Sequence, residues 1–95
     1  DDGGETALHH SVLFGYAYTT KLLLEKGAYI NAAANDRITA LHYAAEGGHF
    51  SITKMLIENK ANLNAVDSNG KTPLDLAIGN GHPRVVRLLE AAMKR

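Results

Sequence analysis

Thr6-Ala7-Leu8-His9, Thr39-Ala40-Leu41-His42 and Thr72-Pro73-Leu74-Asp75 stand 33 residues apart, and each leads, nine residues after its Thr, to Gly15, Gly48 or Gly81. A fixed period of that size belongs to stacked supersecondary units rather than to one irregular globule. The register extends past the tetrapeptides: Leu22-Leu23, Met55-Leu56 and Leu88-Leu89 are in phase, as are Ala28 with Ala61 and Asn31-Ala32 with Asn64-Ala65. Nearly every residue is thereby assigned to a unit, giving one expected domain over 1–95 with repeats 1–33, 34–66 and 67–95.

Within a unit the Thr is placed to cap a helix, its hydroxyl accepting from a first-turn N–H that has no partner in the helix. Pro73 suits the first helical position, where its missing N–H is no loss. The first helix is predicted from about Thr6 to Phe14, stopped by Gly15, and a helix that short must be held by packing. Ser11, Ala44 and Ala77 supply the small side chains that close approach requires. Second helices are predicted over about Ala17–Lys26, Phe50–Asn59 and Pro83–Ala92. Ile52, Met55, Leu56 and Ile57, like Val85, Val86, Leu88 and Leu89, give them a broad buried face. Gly27 is a good stop for the first of these, whereas Lys60 stands at the matching place, where a positive φ would cost it about 1 kcal/mol relative to Gly. Asn31–Ile38 and Asn64–Lys71 read as hairpin-like loops, the second carrying the turn signal Asp67-Ser68-Asn69-Gly70.

Composition narrows the function classes. The 95 residues are 45% hydrophobic and 21% charged, and no apolar run approaches the roughly 18 residues of a membrane span. Ten basic residues balance ten acidic ones, which argues against a nucleic-acid binder, and the absence of Cys removes thiolate metal sites, disulfides and Cys nucleophiles. Cut by repeat, residues 1–33 carry four acids (Asp1, Asp2, Glu5, Glu25) against Lys21 and Lys26, a net of −2. Residues 67–95 carry five bases (Lys71, Arg84, Arg87, Lys94, Arg95) against Asp67, Asp75 and Glu90, a net of +2, so the stack is weakly dipolar. Such end charges either solubilise a solenoid or steer a partner.

Helix, tight turn, helix and loop at this period, with Thr-Pro-Leu-His opening the first helix and Gly-His ending it, resembles the ankyrin repeat over nearly the whole chain. Gly48-His49, Gly81-His82, Gly27-Ala28 and Asn31-Ala32 carry the resemblance as well. The chain departs from the family pattern where Ala7 and Ala40 replace Pro, Asp75 replaces His, Tyr16 replaces the His after Gly15, and Ala34 and Arg37 replace the loop Asp and Gly. These departures also set the chain apart from an idealised consensus design. The resemblance implies an all-α solenoid of three stacked helix-turn-helix units joined by hairpin-like loops. It also implies an intracellular, cytoplasmic or nuclear, protein-binding role through loop tips and the concave face of the first helices. The candidate positions are Asp2, Glu5, Asn35, Asp36, Ile38, Ser68, Asn69 and Lys71 at the loop tips, and Leu13, Phe14, Glu46 and Asn80 on the helix face. Asn31 and Asn64 occupy the position hydroxylated in some family members, although loop hydrogen bonding also explains their recurrence.

Catalysis is not expected. His9 and His42 sit at the motif position, where the resemblance implies a hydrogen bond to the local backbone, and His49 and His82 at the repeated turn, while His10 adjoins His9 on a helix, where neighbours diverge and make a poor chelate. No nucleophile elbow, phosphate loop or zinc-protease motif is present, and Ser11, Ser51 and Ser68 lack a nucleophile's glycine context. No metal, cofactor or small-molecule substrate is therefore expected, and the partner is a protein whose identity the sequence does not give. Leu13 and Phe14 read either as a hot spot extended by Ile38 or as internal packing. Glu90, where Leu24 and Ile57 stand earlier, marks the last unit as a C-terminal cap. The chain opens inside a loop without a polar helix, as a fragment of a longer array would, so that weak self-association through the first repeat, by way of Leu22, Leu24 or Tyr18, is expected. The alternative to a binding module is a structural spacer, or a truncated or engineered scaffold with no partner of its own.

Overall fold

The computed structural model describes residues 5–94, so that Asp2 lies outside the described residues. Three helix pairs follow one another: α1 (Ala7–Leu13) with α2 (Ala17–Glu25), α3 (Ala40–Gly47) with α4 (Phe50–Glu58), and α5 (Pro73–Gly79) with α6 (Pro83–Met93). First helices pack in one row, α1 on α3 on α5, and second helices in another, α2 on α4 on α6. This is the all-α stack of helix-turn-helix units expected from the period.

Each first helix starts in the same way. Thr6, Thr39 and Thr72 are extended, and their hydroxyls accept from the backbone N–H of His9, His42 and Asp75, whose side chains bond back to the Thr N–H. That reciprocal capping box satisfies two otherwise unpaired donors at each start. Each first helix also ends alike, with Gly15, Gly48 and Gly81 in the left-handed region at φ 75°, 70° and 73°. The residue after each glycine donates its backbone N–H back into the helix: Tyr16 to Ser11 O at 2.8 Å, His49 to Ala44 O and His82 to Ala77 O at 3.0 Å. The chain thus reverses into the second helix with its last carbonyls satisfied.

The side chains at the carbonyl-accepting positions, Ser11, Ala44 and Ala77, are buried, which is why they are small. Around them Leu8, Val12, Leu41, Ala45, Ile52, Leu56, Val85 and Leu89 form one core cluster running through all three pairs. Thr20 and Thr53 are fully buried too, their hydroxyls donating to Tyr16 O at 2.8 Å and His49 O at 2.7 Å. Among the described residues no buried side-chain polar atom lacks a partner. Leu56 and Leu89 are completely covered, whereas Leu23, their equivalent in α2, is only half-buried.

The connecting loops are hydrogen-bonded turns without strand pairing among the described residues. In the second, Asp67 Oδ1 accepts from the N–H of Asn69 and of Lys71, both at 2.9 Å, and the Asp67 N–H donates to Lys71 O. The Lys71 N–H, and after it that of Asn69, holds the Asp67 carboxyl below its ordinary range. The first loop has Ala34 where that carboxylate would be, and folds as a single 3-10 turn, Asn35–Arg37, with Asp36 and Arg37 both at φ 62°. Arg37 occupies the left-handed place of Gly70, at a cost on the order of 1 kcal/mol. Lys60, aligned with Gly27, takes a φ of 72°, at a cost of the same order. Adjacent loops are tied by the Ser68 N–H donating to Asp36 O at 2.9 Å. The Asn62 N–H donates to Asn31 Oδ1 at 2.8 Å, the loop hydrogen bond expected of that Asn, whereas Asn64 bonds through its backbone, its N–H donating to Asn62 Oδ1 at 3.0 Å.

Candidate partner-binding face

The capping histidines extend from their own helix to the loop that follows the helix pair, His9 to Ala32 within its own repeat and His42 to Lys71 in the next. His9 Nδ1 takes the Thr6 N–H at 3.0 Å, and its Nε2 lies 3.0 Å from Ala32 O. A carbonyl can only accept, so Nε2 carries the proton and Nδ1 is the acceptor. His42 repeats this with the Thr39 N–H at 3.1 Å and Lys71 O at 2.9 Å. Both rings are buried and hold the following loop at a fixed height above the first helices. Asp75, shorter, makes only the local half, accepting from the Thr72 N–H at 3.0 Å; that bond lowers its carboxyl below the usual aspartate value. His82 Nε2 donates to Glu46 O at 2.9 Å, joining the third turn to the second.

On this scaffold the candidate side chains fall into two groups. Asn35 and Asp36, then Ser68, Asn69 and Lys71, are exposed at successive loop tips, with Ile38 half-buried between them. Leu13, Glu46 and Gly79 form an exposed row at the far ends of the first helices, with Asn80 beside Gly79. The Asn80 Nδ2 donates to Leu76 O at 2.9 Å, within its own helix. Ile38 and Phe14 lie at opposite ends of the first helices, about 10 Å apart along a seven-residue helix axis, so Ile38 does not extend the Phe14 patch. Phe14 itself is 60% exposed rather than packed internally, and stacks on Tyr16 with ring centroids 5.9 Å apart. Those two rings, with Ala7, His10, Thr19 and Leu23, line a groove of about 500 Å³ on the outer side of the first pair.

Glu5 is not a free loop-tip carboxylate. Its Oε2 accepts from the Tyr43 hydroxyl at 2.6 Å, and its Oε1 lies 3.2 Å from His10 Nε2. Tyr43 also meets His9 edge-on, with centroids 5.9 Å apart and planes at 86°. Partial burial, together with the hydroxyl's bond to Glu5 and that carboxylate's charge, pushes the Tyr43 phenol from 10.0 up to about 12. A raised value means that the folded state holds this proton more tightly. The associated stability is therefore complete below pH 10.0 and is lost as the pH climbs through about 12. An alkaline absorbance titration of Tyr43→Phe is expected to lack the latest tyrosinate phase of the parent. A titration unchanged by the substitution would contradict the Glu5 contact. Sequence reasoning missed this pair because its members are 38 residues apart and belong to different repeats. It also passed over Tyr16 as a surface aromatic, although the register signals it as the ring that replaces His49 and His82.

A family model for three copies of the ankyrin repeat matches residues 30–94, and a single-repeat model matches residues 3–35. The chain belongs to the ankyrin-repeat family. No curated protein matches it in sequence. Ankyrin repeats are generally protein-interaction modules and generally non-catalytic. Among the described residues of this ankyrin-repeat chain, no three His, Asp or Glu side chains come together as a metal site, and no helix is long and apolar enough to cross a membrane.

Proposed function

We propose that the chain is a protein-binding module, acting as one unit over 1–95, that grips its partner between the loop tips and the exposed row of the first helices. The observation that carries this reading is the contrast within the register. Leu8, Leu41, His9 and His42, which hold the stack together, are buried, while Leu13, Glu46 and Gly79, one surface position per repeat, differ in chemistry and are exposed. Leu13, 42% exposed, puts a large apolar side chain at one end of that row, and Glu46 puts a charge at its centre. The loop tips add Asn35, Asp36, Ser68, Asn69 and Lys71, and the backbones of the last four are pinned by the hydrogen bonds described above, so little backbone ordering entropy opposes binding.

Leu13→Asp combined with Glu46→Lys alters only exposed side chains and should leave the unfolding midpoint within the range of ordinary surface changes. Affinity capture from cell extract, followed by titration of the captured protein, is expected to show at least about a tenfold weaker dissociation constant for the double variant. Equal affinity for the parent and the double variant would remove the first-helix row from the binding surface. An inert parent chain would favour the spacer reading.

A further inference from the structure

Gly47 and Gly79 are the last residues of α3 and α5, neither has a positive φ, and packing accounts for only one of them. A Cβ built on Gly47 would come within 2.6 Å of the His49 ring. At Gly79, beyond its chain neighbours and its own helix backbone, nothing described lies within 4 Å of a built Cβ. The fold sets no limit on size there, because Leu13 and Glu46 hold the same register. Both are exposed although a helix pair follows each, so the openness of Gly79 belongs to the position and not to its being in the third repeat. Glycine is among the poorest helix formers, and keeping it lowers stability with no return inside the fold.

The surroundings of this bare backbone are electronegative. Glu46, on the adjacent α3, lies in the last turn of its helix, where the backbone already carries partial negative charge, and it forms no ion pair among the described residues. His82, three residues past Gly79, ties the two places together: its Nε2 donates to the Glu46 backbone carbonyl at 2.9 Å and leaves the carboxylate unengaged. Neither α3 nor α5 has a base in its last turn. The Asn80 Nδ2 is turned back to Leu76 O at 2.9 Å, so that Oδ1 is an acceptor with no partner among the described residues.

We propose that the protein partner presents an arginine to this place, its guanidinium lying flat on the Gly79 backbone and forked to the Glu46 carboxylate, and that Gly79 is the residue that admits it. The inference rests on the binding row of first helices proposed above and names what meets it there. Arginine fits better than lysine because its guanidinium is planar, weakly hydrated and carries five donors in one plane, enough for the carboxylate and for Asn80 Oδ1 together, whereas an ammonium is a compact, strongly hydrated point charge. A methyl group on residue 79 would lift that plane off the backbone and away from both acceptors.

The probe is a displayed library of random peptides about 12 residues long, which reach about 40 Å when extended and so span three first helices set about 10 Å apart. Peptides selected on the parent are synthesised and titrated against the parent, Gly79→Ala, Glu46→Gln and Leu13→Asp. The selected peptides are expected to carry an arginine whose change to lysine weakens binding at least about tenfold. Gly79→Ala and Glu46→Gln should each weaken the arginine peptide as much, and neither variant should then distinguish it from its lysine form. Gly79→Ala should at the same time unfold at a higher denaturant concentration than the parent, so that its lost affinity is not lost folding. A Gly79→Ala chain that binds as tightly as the parent, an arginine-to-lysine change without effect, or a library that yields no binder overturns the proposal. Peptides that ignore Gly79→Ala but are weakened by Leu13→Asp overturn the arginine site and leave the binding row standing. Peptides that ignore all three substitutions remove the row as well.

Discussion

Replacing His42 with Ala is expected to destabilise the chain by about 3 to 5 kcal/mol, a large share of the 5–15 kcal/mol typical of a small domain. The imidazole links three pieces of backbone at once. Its Nδ1 accepts the Thr39 N–H at 3.1 Å, its Nε2 donates to Lys71 O at 2.9 Å, and its ring is fully buried. Alanine removes both bonds and leaves the Thr39 N–H to find water from a partly enclosed position, at about 1–3 kcal/mol, while the Lys71 carbonyl keeps only the Asp67 N–H. The space left by the ring adds a cavity term in the middle repeat, which is packed on both sides. Asp75→Ala at the same register serves as the control. Its side chain bonds only within its own capping box and is exposed, so its loss should be much the smaller. Urea unfolding monitored by circular dichroism measures both, and comparable midpoints would mean that the reach to Lys71 O contributes little.

What the sequence reveals and what it hides divide along the range of the interaction. Caps at Thr6, Thr39 and Thr72 and stops at Gly15, Gly48 and Gly81 are local chemistry, settled within a few residues, and the helices begin and end within about two residues of where those signals put them. The positive φ of Lys60 follows from the same local alignment. Contacts between repeats are of another kind. Glu5 with Tyr43, His82 with Glu46 O, and Arg84 over the Phe50 ring at 4.3 Å each join residues more than 30 apart. Periodicity brings such positions near one another without saying which atoms meet. For that reason Glu5, read as a loop-tip candidate, is already occupied by Tyr43 and His10. Phe14 and Ile38, both apolar and both at variable positions, look like one patch in an alignment and are two places in space. Burial is likewise set by neighbours: Leu23, Leu56 and Leu89 share one register position, and the two that are fully covered, Leu56 and Leu89, are those with a preceding pair packed on them among the described residues.

Gly48→Ala should cost about 3 kcal/mol while Gly81→Ala costs about 1 kcal/mol, although the two glycines share residue type, register and backbone conformation. At φ 70° and 73° each pays the strain of a left-handed alanine, partly offset because alanine has less freedom than glycine to lose on folding. The difference lies in what the new methyl group meets. At Gly81 nothing described is within 4 Å, whereas at Gly48 it would sit 2.6 Å from His82 Nδ1. That ring has no free retreat, because its Nε2 is bonded to Glu46 O at 2.9 Å. Accommodating the methyl means giving up the bond, about 1 kcal/mol, and shifting the third repeat away from the second, which loosens Val85 and Leu89 in the shared core. A double-mutant cycle isolates the contact. In a His82→Ala background the obstacle is gone, and Gly48→Ala should then cost no more than Gly81→Ala, leaving a coupling energy of about 2 kcal/mol. If Gly48→Ala is as harmful without the ring as with it, left-handed strain alone explains the glycine, and the ring-over-glycine joint is a consequence of stacking rather than one of the contacts that fix its geometry.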